Sequence, residues 1–249
     1  MYVAPIRDED ERRSLAHDHN SAMSDWHEFV ESTHSTYNVD MSILQKGYER
    51  EQREYYLLSS RWTELPSESV LADPVVIKKL DMITCTIEDS KGIITPTADF
   101  TENNDNGNIT SNTFKFELDG NKTLGPISGL AGWFTADFKS RTDEIGLKYA
   151  PKITNPALLC TAPESGYTHW GQQTFYFLSS VPLLQNEITV MNGCIEMNRC
   201  KDNSRLYDCR IKYSASRSKK NSSGVAGNEE KAVILSDGSR TIENVYQIP

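Results

Sequence analysis

The sequence predicts a mainly β protein, an antiparallel β-barrel or sandwich with an inserted helical segment. Three patterns support this prediction. Between residues 80 and 213, apolar and polar side chains alternate with the period of two that is typical of half-buried strands. Runs rich in Asn, Asp and Gly separate these stretches, and few of the connections can hold a crossover helix. Before residue 60, apolar residues instead recur every three or four positions, as on one face of a helix.

The composition is that of a globular protein with a polar surface, because only 37% of its 249 residues are hydrophobic. This length can bury a sizeable core as one domain, or as one domain with an appendage. No apolar run approaches the ~18 residues of a membrane-spanning helix. Charges near the amino terminus leave no apolar segment typical of a secretory signal. We therefore expect no membrane association, and a location in the cytoplasm, the nucleus or both.

The net charge of −9 favours basic binding partners over nucleic acids. A nucleic-acid-binding domain normally presents a basic face, so direct nucleic-acid binding is not expected. An acidic surface steers basic partners through long-range attraction, and arginine-rich protein segments fit that description. Solubility alone explains the same charge equally well.

Cysteine and histidine usage indicates neither a disulfide framework nor a metal site. The cysteines are odd in number and contain no Cys-x-x-Cys pair, so we expect reduced thiols that pack as small apolar side chains. The histidines include no His-Glu-x-x-His spacing, and no metal is expected. These residues are Cys85, Cys160, Cys194, Cys200 and Cys209, and His17, His19, His27, His34 and His169.

The first part of the chain predicts a strand and then a helix. Residues 1–6 form an apolar strand, and residues 7–20 form a polar, highly charged stretch. From Ser21 onward apolar residues fall three or four apart, with Ser21 or Ser24 as the helix cap. This apolar stripe consists of Met23, Trp26, Phe29 and Val30.

A second helix is predicted over residues 43–58, although Gly47 weakens it. Residues 37–42 form the exit turn from the first helix. Asp40 or Ser42 is expected to cap the second helix, because a side-chain oxygen there can accept a hydrogen bond from the free amides of the first turn.

The remaining elements follow from periodicity and turn residues. Residues 75–80 predict a short helix, because Pro74 suits a first helical position. Residues 214–230 are rich in Ser, Lys and Gly and predict a flexible linker. A last hairpin is expected over residues 231–240 around its Asp-Gly pair. The predicted strands are residues 82–87, 114–118, 131–138, 173–178, 188–197 and 206–213.

The loop over residues 165–172 is the most informative part of the sequence. It lies between an apolar run at 157–160 and the strand at 173–178, and so places His169 and Trp170 at one rim of the β-structure. His169 either satisfies loop carbonyls or orients a carboxylate. Trp170 either packs in the core or presents a π-face that holds a guanidinium or methylammonium group, an attraction of about 0.5–2 kcal/mol. The residue types alone leave both pairs of alternatives open.

Four motifs resemble those of protein arginine methyltransferases, in the same order. Residues 2–5, Tyr-Val-Ala-Pro, resemble the strand that follows the family's catalytic acidic hairpin. Residues 26–42, which end in Val-Asp-Met-Ser, resemble its dimerisation arm. Residues 128–138 resemble a central barrel strand that contains Trp-Phe, and residues 161–172 match the Thr-His-Trp loop with its following Gln. The resemblance extends over residues 1–213.

The resemblance implies a division of the chain. Residues 1–6 and 46–213 are expected to form the β-barrel domain, and residues 7–45 the helical dimerisation arm inserted in it. Residues 214–249 are expected to form a flexible linker with a terminal hairpin. The long connection over residues 49–80 looks most like methyltransferase 6-type members of the asymmetric, type I class.

The resemblance also implies roles for individual residues. His169 is expected to orient an upstream acidic residue, and Thr168 and Trp170 to contact the substrate arginine. Ser128 departs from the family's usual His, and Gly166 stands where Pro is common. The residues expected to mediate dimerisation are Met23, Trp26, Phe29, Val30 and Tyr37.

The implied enzyme transfers a methyl group from S-adenosylmethionine to arginine guanidinium groups of histones or other arginine-rich proteins. The family's cofactor-binding residues and both catalytic glutamates lie upstream of the position of Tyr2. This chain is therefore expected to be the carboxy-terminal half, to be inactive alone, and to act in a homodimer or heterodimer. One alternative is a non-catalytic partner or scaffold that dimerises with an intact methyltransferase through residues 21–42 and regulates it. Another is a substrate-binding barrel with no link to methylation.

Overall fold

The structure is a computed structural model, and the residues that it describes are 1–93, 109–110, 112–123, 125–138, 156–203, 205–220, 231–233 and 240–248. These residues form a mainly β protein with antiparallel sheets and a pair of helices inserted after the first strand, which confirms the predicted fold class. Within them, no helix has both the length and the apolar character needed to cross a membrane.

The element bounds are as follows. The strands are β1 (Tyr2–Ile6), β2 (Arg61–Thr63), β3 (Val75–Val76), β4 (Lys78–Lys79), β5 (Ile109–Thr110), β6 (Thr113–Asp119), β7 (Ile127–Trp133), β8 (Thr135–Phe138), β9 (Ala157–Cys160), β10 (Gln172–Val181), β11 (Glu187–Arg199), β12 (Tyr207–Lys219), β13 (Lys231–Ala232) and β14 (Thr241–Ile248). The α-helices are α1 (Glu9–Tyr37), α2 (Ser42–Leu57) and α3 (Ile87–Ser90), and short 3₁₀ helices lie at Ser67–Ser69 and Pro163–Ser165.

Two antiparallel sheets dominate the architecture. The first has the strand order β2-β10-β7-β1-β3, and the second has the order β13-β12-β11-β6, with β14 also paired to β12. The β11–β12 hairpin is long, since its register runs unbroken from Glu187 opposite Lys219 to Arg199 opposite Tyr207. Two small two-stranded antiparallel pairs, β4 with β5 and β8 with β9, complete the described strands.

The main hydrophobic core lies between these two sheets. Leu130 and Phe175 of the first sheet belong to the same buried cluster as Phe116 and Met191 of the second. The ring of Tyr246 on β14 meets the ring of Phe175 edge-on, with centroids 5.5 Å apart. Strand β6 alternates between exposed and buried positions from Thr113 to Leu118, which agrees with the period of two that predicted a strand here.

The inserted helices form an arm, in which α1 spans residues Glu9–Tyr37 and is about 43 Å long. It ends at Tyr37 and is followed by the C-cap Asn38, which has a left-handed backbone conformation, and a short turn leads into α2. The N-cap of α2 is Met41, which makes no side-chain capping hydrogen bond, and not Asp40 or Ser42 as predicted. The Asp40 carboxylate, one position before the cap, accepts a 2.8 Å hydrogen bond from the Ser42 amide. The ring of Trp26 on α1 stacks on Tyr48 of α2, with centroids 4.4 Å apart. The predicted domain boundary between residues 45 and 46 therefore falls inside a helix that belongs to the arm.

The start of α1 was predicted too late. The helix begins at Glu9 and not at Ser21, because Asp8 supplies the cap by accepting a hydrogen bond from the Glu11 amide at 3.3 Å. The charged residues that looked like a polar connection stabilise this first turn, since acidic side chains there complement the helix dipole. Arg12 also forms an ion pair with Glu9 one turn away.

Two predictions between residues 75 and 90 were wrong. Val75 and Val76 do not begin a helix but pair with Val3 and Tyr2 of β1, so pairing with a distant strand overrides the local proline signal. Residues 82–87 do not form a strand. They form a turn that leads into α3, where the Thr86 side chain caps the helix in a capping box.

The carboxy-terminal part of the chain is more ordered than predicted. Residues 214–219 are not a linker, because β12 continues through them to Lys219. Strands β13 and β14 both pair with β12, so they do not form a hairpin with each other. Tyr246 and Ile242 of β14 are buried in the core. Residues 221–230, and the Asp237-Gly238 pair expected at the hairpin turn, lie outside the described residues, as does most of the Asn-rich stretch 102–112.

Candidate substrate site at the barrel rim

The Thr-His-Trp segment forms a tight turn between the 3₁₀ helix Pro163–Ser165 and β10. The Gly171 amide donates a 3.2 Å hydrogen bond to the Thr168 carbonyl and so closes the turn. Gly171 has φ of +50°, in the left-handed region that glycine adopts without strain. His169 and Trp170 therefore occupy the central positions of a turn at the rim of the first sheet, as the sequence predicted.

The side chains of His169 and Trp170 face solvent. Trp170 is 53% exposed, so it is not a core residue, and His169 is exposed as well. Their ring centroids lie 6.0 Å apart in an edge-on arrangement, and Trp170 meets Phe134 edge-on at 6.1 Å. About half of the Trp170 surface is thus open to solvent, and a cation–π contact requires an accessible ring of this kind.

Thr168 borders an open cleft beside this turn. The cleft has a volume of about 270 Å³ and is lined by Glu64, Leu65, Pro66, Pro163, Gly166, Tyr167, Thr168, Gly171 and Gln172. The Thr168 Oγ1 atom is buried and has no hydrogen-bond partner among the described residues. Gly166, which departs from the family's common Pro, has φ of +83° with open space around it. Proline cannot adopt that φ, so this turn differs locally from one that contains Pro.

The buried side chain of Gln172 holds the turn in place through two hydrogen bonds. Its side chain is 4% exposed, its Oε1 accepts a 2.8 Å hydrogen bond from the Leu65 amide, and its Nε2 donates at 2.8 Å to the Thr161 carbonyl. Both polar ends of the buried amide are therefore paired, which avoids the cost of an unsatisfied polar group. The Gln that follows Thr-His-Trp thus joins β10 to segments on both sides of the turn.

Trp62 is a site residue that the sequence did not reveal. It lies on β2, and its indole Nε1–H donates a 2.7 Å hydrogen bond to the carbonyl of Trp170. The two residues are 108 positions apart in the chain, so no local spacing links them. The available signal was a lone tryptophan in the polar segment after the second helix.

Ser128, where the family usually has His, does not reach the turn. It is fully buried on β7, and its Oγ accepts a 2.9 Å hydrogen bond from the Asp8 amide at the start of the arm. Arg12 extends the same junction by donating to the Leu178 carbonyl at 3.3 Å. This position therefore helps to attach α1 to the barrel.

The apolar stripe of the arm divides into two parts. Trp26, with Met23 and Val30, is half-buried, because Trp26 packs against α2 of the same chain. Phe29 is 48% exposed and Tyr37 is 74% exposed, so these two side chains leave most of their apolar surface in solvent. The stripe is therefore both an internal contact of the arm and an exposed apolar surface.

The comparison with known families decides the relationship. The family model described as the arginine methyltransferase oligomerization subdomain matches residues 1–219 of the chain. The chain belongs to the protein arginine methyltransferase family. The resemblance drawn from its four motifs is thereby confirmed.

Individual methyltransferases agree with this assignment. Protein arginine N-methyltransferase PRMT10 of Oryza sativa subsp. japonica is 35% identical over 214 residues, which make up 86% of this chain and 49% of the rice protein. The probable protein arginine N-methyltransferase 6 of Arabidopsis thaliana is 24% identical over 206 residues, or 73% of this chain and 41% of that protein. Of these two, the rice PRMT10 is the more similar.

A solved structure confirms the fold. The crystal structure of Arabidopsis thaliana protein arginine methyltransferase 10, described as a uniquely open conformation, matches with a TM-score of 0.70 and 23% identity. The match covers 100% of this chain and 58% of that one. The chain thus spans about half the length of the methyltransferases it matches.

The described residues of this methyltransferase segment offer little chemistry for a metal. They contain no group of three or more His, Cys, Asp or Glu side chains arranged to hold an ion. All five cysteines are free thiols, and burial raises the pKa of Cys209 to about 12. A thiol with so high a pKa stays protonated at neutral pH and is a poor metal ligand.

Proposed function

We propose that this chain is the carboxy-terminal half of a protein arginine N-methyltransferase of the asymmetric, type I class. The whole protein would transfer a methyl group from S-adenosylmethionine to guanidinium nitrogens of arginine-rich proteins such as histones, in the cytoplasm or nucleus. The observation that carries this proposal is the family match over residues 1–219, together with coverage of 49% of the rice PRMT10.

In this proposal the turn at the barrel rim forms one wall of the arginine pocket. Trp170 holds the guanidinium against its exposed face, and Thr168 lines the adjoining cleft. His169 orients an acidic residue supplied by the half of the enzyme that precedes this chain. The exposure of both rings supports these roles, because a side chain must face the pocket to contact either group.

S-adenosylmethionine supplies the methyl group when bound, and its site belongs to the preceding half in this proposal. The sequence of this chain has no Gly-rich strand-to-helix turn followed by a ribose-binding carboxylate, which nucleotide-type cofactors commonly require. The residues of this chain therefore act on the substrate side, by positioning the guanidinium and fixing the orientation of a neighbouring acid.

The same proposal assigns the arm to subunit association. Phe29 and Tyr37 expose apolar surface that a monomer gains nothing by exposing, and such surface marks contact sites. The arm would dock on the cofactor domain of a second methyltransferase subunit, in a homodimer or a heterodimer. The acidic net charge of −9 is consistent with attraction of basic substrates to the assembly.

A fusion protein tests the proposal. The amino-terminal half of the rice PRMT10 would be joined to this chain at Tyr2, and transfer of labelled methyl groups to an arginine-rich peptide would be measured. We expect transfer by the fusion and none by either half alone, and dimethylated product should be asymmetric. Calorimetry should detect no binding of S-adenosylmethionine to this chain alone.

One result would favour the scaffold alternative. If the fusion folds but transfers no methyl groups, and the unfused chain binds an intact methyltransferase and alters its rate, the chain is a regulatory partner and the catalytic proposal fails.

A further inference from the structure

Trp62 makes a contact that its position on the surface does not require. Its side chain is 53% exposed, so core packing does not explain the residue. Its Nε1–H nevertheless donates a 2.7 Å hydrogen bond to the Trp170 carbonyl, in the middle of the rim turn. That carbonyl belongs to the peptide between Trp170 and Gly171, so the hydrogen bond restrains the backbone directly beside the Trp170 side chain.

The indole ring also restricts Gly171 by direct contact. A Cβ atom on Gly171 would lie 2.8 Å from Nε1 and Cε2 of Trp62, and 2.6 Å from the Thr63 carbonyl oxygen. Real Cβ atoms essentially never approach other heavy atoms that closely. The ring and the backbone of β2 thus pack tightly against the turn at the residue whose φ is positive, and only glycine fits between them.

Strand β2 provides a firm base for this contact. It pairs with the first residues of β10, with Trp62 opposite Gln173. Side chains reinforce the pairing: Gln173 Nε2 donates to Ser60 Oγ at 2.7 Å, and Thr174 Oγ1 donates to the Arg61 carbonyl at 3.0 Å. These hydrogen bonds flank Trp62 on both sides and hold β2 in place beside the turn.

We infer that Trp62 is a positioning residue for the Thr-His-Trp turn. Its indole N–H fixes the Trp170–Gly171 peptide, and its ring blocks other conformations of Gly171, so that Trp170 and His169 keep one direction at the rim. The claim that this fixed direction aids methyl transfer rests on the proposed function. The claim that Trp62 restricts the turn does not. The two can therefore be tested separately.

The restriction is measured on this chain alone, by amide hydrogen exchange with NMR detection and without substrate. Trp62→Phe keeps an aromatic ring but removes the donor. We expect exchange of the Gly171 amide, which closes the turn, to become about threefold to tenfold faster, as follows from losing one hydrogen bond of ordinary net strength. Trp26→Phe is the matched control, since Trp26 Nε1 has no hydrogen-bond partner among the described residues. It should leave Gly171 unchanged.

A second measurement avoids dependence on one variant. In the unaltered chain the Trp62 indole N–H should exchange more slowly than the same N–H in an isolated, unfolded peptide of the same sequence. Gly171→Ala, which retains Trp62 but displaces its ring, should abolish that protection. Unprotected Trp62 N–H in the unaltered chain, or Gly171 exchange within twofold of normal in folded Trp62→Phe, would overturn the inference. In the fusion protein, Trp62→Phe should raise KM for the arginine peptide more than it lowers kcat.

Discussion

The hydroxyl group of Tyr176 donates a 2.6 Å hydrogen bond to the Oδ2 atom of Asp8. Tyr176 lies on a central strand of the first sheet, and Asp8 caps the first turn of the arm helix. One carboxylate therefore satisfies a helix amide with one oxygen and a barrel side chain with the other. This contact, with Ser128 and Arg12 beside it, fixes where the arm leaves the barrel.

Loss of the Tyr176 hydroxyl should destabilise this junction. Burial raises the pKa of Tyr176, and the hydrogen bond to Asp8 raises it further, so the hydroxyl remains a donor at neutral pH. Tyr176→Phe should lower the free energy of unfolding by about 1.5–3 kcal/mol, the range for a hydrogen bond to a charged group. Urea unfolding followed by circular dichroism measures it, with Tyr37→Phe on the exposed arm as the control. Equal stability of the two variants would contradict the assigned role.

Glu9 should make the junction sensitive to acid. Burial by itself raises the pKa of Glu9, but hydrogen bonds from Arg12, Ser128 and Ser180 and the charge of Arg12 hold it below its ordinary value of 4.5. A carboxyl with a depressed pKa in the folded state stabilises the protein above its unfolded pKa, and that contribution is lost as the pH falls through the folded pKa.

The matched variant is Glu9→Gln, which keeps the shape but not the charge. Melting temperatures of the two proteins should differ most above pH 4.5 and converge as the pH falls below it. Asp10→Asn, one position along in the same helical turn, serves as the control for a general loss of negative charge. A constant difference between Glu9→Gln and the unaltered chain across this range would contradict the linkage.

The spacing of apolar residues correctly predicted those strands and helices whose structure depends on their own side chains. Strand β6 alternates Phe114, Phe116 and Leu118 inward with polar residues outward, so its period of two was visible in the sequence. The arm helix beyond Ser21 was equally visible in its spacing. The start of α1 was missed because its first turns are polar and are stabilised by Asp8 and by contacts with β7 and β10, which spacing along the chain does not reveal.

Contacts between residues far apart in the chain determine the elements that the sequence predicted wrongly, and also the support of the rim turn. Val75 and Val76 became a strand because β1 offers an edge, which overrides the helical signal of Pro74. The rim turn itself was predicted correctly, since its residues are contiguous. Its support by Trp62 was not, because the hydrogen bond joins residues 108 positions apart and no local pattern records it.

The exposed end of the arm stripe should control association of subunits. Phe29 and Tyr37 are largely exposed, whereas Trp26 is half-buried and packs on Tyr48. The double change Phe29→Ala with Tyr37→Ala should weaken dimerisation of the fusion protein severalfold or more, because exposed aromatic side chains dominate interface energies. Sedimentation at dilute concentration measures it.

Two further variants show whether a loss of dimerisation is specific to the exposed end of the stripe. Met82→Ala removes a comparably exposed apolar side chain far along the chain from the arm and should leave association unchanged. Trp26→Ala should weaken association as well, but with a loss of arm stability, since it removes the stacking partner of Tyr48. Unchanged sedimentation of the Phe29 and Tyr37 double variant would reassign their surface to another role.

The rim turn should affect chemistry more than stability. Trp170 is 53% exposed, so Trp170→Ala should shift the melting temperature little, while Trp133→Ala, at 6% exposure, should cost about 3–5 kcal/mol as a buried aromatic truncation does. In the fusion protein Trp170→Ala should mainly raise KM, because the guanidinium contact exists in the ground state too. His169→Ala should mainly lower kcat, since misplacing a catalytic carboxylate by about 1 Å can cost on the order of 10²-fold. Normal specific activity of folded Trp170→Ala, with a large loss of melting temperature, would mean that the ring serves the fold and not the substrate.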